Sequence, residues 1–85
     1  LELYDSAANT YKSLLPLNMK RSDVLINLGA TYNQKKEPDS ALYYLKQVHK
    51  PENIHSIELE NTLGHACLQK NDIAGAVAHF QEALR

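Results

Sequence analysis

The chain has 85 residues, enough for one small domain that buries about 60% of the surface its unfolded form exposes. With 9 Lys and Arg against 10 Asp and Glu the formal net charge is -1, so no basic field draws it to nucleic acid or to anionic lipid. A single cysteine, Cys67, excludes an internal disulfide framework, and no apolar run approaches the roughly 20 residues that cross a bilayer. Leu1 to Asp5 lack the basic start of a secretion signal, and the compartment is left open between cytoplasm and periplasm.

In chain order, the first predicted helix covers about residues 3 to 15, where Ala7, Tyr11 and Leu14 stand at i, i+4, i+7 on one stripe. Ser22 or Asp23 is expected to cap a second helix running to about Lys35. Pro38 suits the first turn of a third, which should stop before Pro51. Asn53 or His55 is expected to open a fourth, and Asn71-Asp72 to cap a last helix through Leu84, with Asp72 also placed against the positive end of the macrodipole. No segment alternates apolar and polar residues with the β-branched richness of a strand, so the fold class is all-α.

The pattern repeats itself. Ala7, Tyr11 and Leu14 recur 34 residues on as Ala41, Leu45 and Val48, and 35 residues further as Ala76, Phe80 and Ala83. Between them Leu25, Leu28, Gly29 and Tyr32 are followed 35 residues later by Glu60, Leu63, Gly64 and Cys67, with the extra residue expected between Pro51 and His55. A helix-interior glycine costs about 0.5–1 kcal/mol relative to alanine, so Gly29 and Gly64 are expected to sit where one helix crosses closely over the next, facing Ala41 and Ala76.

Leu28-Gly29-Ala30-Thr31-Tyr32, followed by Ala41 and Leu45, resembles the tetratricopeptide pattern of W-x2-L-G-x2-Y, then A-x3-F, then P. The resemblance covers nearly the whole chain: the second helix of a truncated repeat over 1–16, a full repeat over 22–50 and another over 56–85. The chain departs from the pattern where Leu25 and Glu60 occupy the tryptophan position, where Cys67 replaces the tyrosine, and where Pro16 and Pro51 fall two or three residues early. The resemblance implies antiparallel helical hairpins stacked as a right-handed superhelix, a piece of an α-solenoid within a longer protein.

Chemistry is hard to find in this sequence. His49, His55, His65 and His79 include no pair three or four residues apart, as a helical zinc site would need, and His65 and Cys67 point apart. Cys67 occupies the repeat's buried tyrosine position, where a thiol is inert. No nucleophile elbow or phosphate-binding glycine loop occurs, and Glu58 and Glu60 read as ordinary helix-surface carboxylates. The reading is a non-enzyme without cofactor or metal.

What remains is a surface. By resemblance to the family, the first helix of each repeat lines a concave face, here Asp23, Ile26, Asn27, Ala30, Asn33 and Gln34, then Glu58, Asn61, Thr62, His65 and Gln69. The partner-binding residues taken from these are Ile26, Asn27, Ala30, Asn33, Gln34, Asn61, Thr62, His65 and Gln69. Asn27 and Asn61 suit a peptide backbone, because an amide offers donors and an acceptor together. Family members that clamp an acidic C-terminus use Lys and Arg on this face, whereas only Asn27 stands where a clamp asparagine would. The implied function is a protein–protein interaction module holding a peptide or helix of a partner. The alternative is a sensory or structural segment of a bacterial regulator, packed against neighbouring domains. Tyr4, Tyr11, Leu14 and Leu15 on the first helix are expected to lack cover and to favour weak self-association, and substitution at Lys36 or Gln69 is expected to do little.

Overall fold

A computed structural model describes residues 2–17, 21–48 and 57–85. The described residues form five α-helices and no strand: α1 (Glu2–Leu14), α2 (Arg21–Gln34), α3 (Pro38–Leu45), α4 (Ile57–Gln69) and α5 (Ile73–Leu84). A short 3-10 turn, Leu15–Leu17, follows α1. Because α2 opens at Arg21, Ser22 and Asp23 lie inside its first turn instead of capping it, and Asp23 there complements the positive helix end. The expected start at Asn53 or His55, and the extra residue between Pro51 and His55, lie outside the described residues.

Each helix packs against the next along the chain, and α2 also packs against α4. With α1, α3 and α4 around it, α2 buries Val24, Leu25, Ile26, Leu28 and Tyr32 on several sides rather than along one stripe. Leu28 is fully buried and meets a core to which α1 gives Ala8, α3 gives Ala41 and Leu45, and α4 gives Leu59, Leu63 and Ala66. Each such leucine contributes about 1.5–3 kcal/mol, so the core is concentrated on α2 and its neighbours.

The two hairpin turns match in detail. α2 and α4 both end through a residue with positive φ, Lys36 at 65° and Asn71 at 63°, 35 positions apart. The amide of Glu37 then donates to the carbonyl of Tyr32 at 2.9 Å, and that of Asp72 to the carbonyl of Cys67 at 2.9 Å. Both turns are therefore Schellman closures, in which a left-handed residue lets the chain satisfy carbonyls the helix end leaves open. The following helices start differently. Asp72 accepts a capping bond from the Gly75 amide at 3.0 Å, whereas Glu37 makes no side-chain cap and α3 relies on Pro38 in its first turn.

The close crossings exist, but their partners differ from those expected. A Cβ built on Gly29 would stand 2.5 Å from Leu45, and one on Gly64 would stand 2.6 Å from Phe80. Leu45 and Phe80 lie one turn beyond Ala41 and Ala76, which are buried in the same crossings. The glycines thus make room for a large side chain, one per hairpin, at the same 35-residue displacement.

Candidate interaction groove

The seam between α2 and α4 forms an open concavity of about 310 Å³. Of the nine residues expected to bind a partner, Ala30, Asn33, Gln34, Thr62, His65 and Gln69 line it, and Lys36 joins them from the turn. Helical spacing explains the gathering: Ala30, Asn33 and Gln34 lie three and four apart on α2, and Thr62, His65 and Gln69 do so on α4.

The lining residues do two kinds of work. Asn33 and Thr62 are buried, and the Asn33 Nδ2 donates to the Thr62 carbonyl at 3.0 Å, binding α2 to α4. Gln69 returns the bond, its Nε2 donating to the Asn33 carbonyl at 2.8 Å. The Oδ1 of Asn33 is buried and has no hydrogen-bond partner among the described residues. These amides form the floor of the groove, while Ala30, Gln34, Lys36 and His65 are exposed on its walls. The His65 ring also rests edge-on against Phe80, with centroids 5.5 Å apart.

The other expected residues stand elsewhere. Ile26 is buried in the hydrophobic core and offers no contact surface, because α2 is enclosed on the side where it points. Asn27 is half-buried, its carbonyl accepting a bond from the Thr31 hydroxyl at 2.8 Å, and Asn61 is exposed; neither lines the groove. Gln69, expected to tolerate substitution, is a structural donor across the seam.

Sequence reading missed Glu60. It is 2% exposed, and its carboxylate accepts from the Nδ1 of His79 on α5 at 2.9 Å, so it is no surface residue. The signal was present in the repeat: Glu60 stands 35 residues after Leu25, which is 1% exposed. Cys67 is buried as its position implied, and that burial pushes its thiol above the usual range, away from the reactive thiolate. No helix among the described residues is long and apolar enough to cross a membrane.

Comparison with protein-family models, with curated proteins and with solved structures finds no match to this chain.

Proposed function

We propose that the chain is a protein–protein interaction module of tetratricopeptide type, holding an extended peptide of a partner in the groove between α2 and α4. The observation that carries this reading is that six of the nine residues implied by the resemblance line one concavity. The matched Schellman turns and the α2 to α4 contact support the stacked-hairpin part of the reading. Gln34 offers both amide functions, Gln69 keeps its Oε1 after spending its Nε2 on Asn33, and Lys36 adds a cation at the rim. Such a wall recognises main-chain amides and neutral polar side chains, with one ion pair available to an acidic neighbour.

Peptides selected from a random display library against the whole chain, then titrated under NMR, test the proposal. Perturbations should gather on Ala30, Gln34 and His65, and the pair Gln34→Ala with His65→Ala should weaken binding by about tenfold, or about 1.4 kcal/mol. Selection that returns no binder, or binders indifferent to the pair, would sink it.

A further inference from the structure

Charge sets the groove apart from the rest of the chain. Among its lining residues only Lys36 and His65 can ionise, both are exposed, and no carboxylate joins them, although acidic residues outnumber Lys and Arg in the chain. Neither side chain pairs with a carboxylate among the described residues. The acids that follow Lys36 are held by other lysines, Glu37 by Lys35 and Asp39 by Lys70. Two carbonyls at the end of α2 that would repel an anion are taken up as well, since the amides of Lys36 and Glu37 close on Asn33 and Tyr32.

Within the groove, Lys36 is the one charged side chain near His65. From α5 the Phe80 ring rests edge-on against the imidazole, and the ionisable groups of that helix are engaged elsewhere, His79 with Glu60 and Glu82 with Arg85. From α2 come Ala30, Asn33 and Gln34, all uncharged. On α4 the residues one turn from His65 are Asn61, Thr62, Leu68 and Gln69, with Glu58 about two turns away, as Asp23 is from Ala30 on α2. Histidine side chains take up their proton between about pH 8 and pH 5. A carboxylate brought against an imidazole favours the protonated form, so protonation and the binding of an acid reinforce each other.

We infer, resting on the groove proposed above, that its ligand is an acidic segment of a partner protein whose carboxylates meet Lys36 and His65, and that protonation of His65 tightens the hold.

The probes are the blocked peptide acetyl-Ser-Asp-Ser-Asp-Ser-amide and its counterpart with Asn in place of both Asp. Each is titrated into the whole chain in low salt at about pH 8 and about pH 5.5, where Asp side chains stay ionised. The acidic peptide should bind about threefold to fivefold more tightly at the lower pH, the range an exposed ion pair supplies, with NMR shifts gathered on Ala30, Gln34 and His65. The Asn peptide should bind more weakly and show no such change. His65→Gln should abolish the pH difference, which separates His65 from the other histidines. Lys36→Asn, whose new side chain accepts the left-handed backbone, should weaken the acidic peptide at both pH values. Both positions are exposed, so the circular dichroism of the parent should be retained. A pH difference that is absent or survives His65→Gln overturns the inference and leaves the groove reading standing, as does an acidic peptide indifferent to Lys36→Asn or held no better than the Asn peptide. Shifts that avoid the groove sink the proposed function with it. Binding of neither peptide at millimolar concentration overturns the acidic ligand, and the random library then judges the groove alone.

Discussion

The side chain of Leu45 fills the space that a Cβ on Gly29 would occupy, 2.5 Å from where that carbon would stand. Leu45 is 2% exposed and cannot swing away. Phe80 blocks Gly64 in the same manner at 2.6 Å, yet its ring is only half-buried and has room to move. Gly29→Ala should therefore lower stability by about 1–3 kcal/mol through overpacking, outweighing the roughly 1 kcal/mol that alanine gains in helix propensity. Gly64→Ala should cost distinctly less. Urea midpoints at constant slope compare the two, and equal losses would refute the difference in ring freedom.

Lys36 holds a left-handed backbone conformation at φ 65°, which strains a residue with a Cβ. Lys36→Gly should raise stability by about 0.5–1 kcal/mol, contrary to the indifference expected from sequence. Thermal or urea unfolding checks it, and Lys36→Ala, which keeps the Cβ, should show no such gain.

Glu60 spends a buried position on a carboxylate whose counterpart in the preceding repeat is Leu25. Glu60→Leu takes away one partner only, so the hydrogen bond with His79 and the other interactions of the carboxylate are lost while His79 stays in place. Glu60→Leu should accordingly destabilise the chain by about 1–3 kcal/mol, read as a lower urea midpoint with unchanged slope. A rise in the midpoint would mean that the desolvation of the carboxylate outweighs the His79 contact and the other interactions of Glu60.

Asp5 on α1 pairs with Lys35 at the end of α2, and the hydrogen bond from Lys35 holds the Asp5 carboxyl below its usual range. A carboxyl whose folded value is depressed binds its proton more readily in the unfolded chain. The stabilisation from this pair is therefore fully present above about pH 4 and is lost as pH falls through the lower folded value. Asp5→Asn should be less stable than the parent at pH 7, with the gap closing as pH falls through the lowered folded value and shrinking in high salt. A gap independent of pH would assign the effect to packing instead.

The helices and their order were legible because each carries a stripe or a turn signal of its own: Pro38 and Asp72 start helices where expected, and α5 ends at Leu84. Less legible was what a side chain meets across a crossing. The phase of Gly29 and Gly64 announced two close approaches, but whether alanine, leucine or phenylalanine filled them depends on the offset between helix axes, which no single helix encodes. The residues that line the concavity came from the family resemblance, which picks Ala30 and His65, 35 apart on equivalent turns. Asn33 and Thr62 stand among the partner-binding positions that the resemblance implies. The structure instead uses their amide and carbonyl to join helices, a role that appears only when both partners are placed. Glu60 failed for the opposite reason, because its chemistry argued for the surface while its register argued for the core.

The crossed amide bonds of Asn33 and Gln69 carry a kinetic consequence. They span the seam between two hairpins, so the floor they build persists as a surface only while α2 and α4 stay docked. Under the proposed function, the lifetime of that docked state would set how long a bound segment finds its seat intact. A substitution that merely hastens separation of the hairpins, far from any bound residue, would shorten residence while leaving every wall contact chemically unchanged.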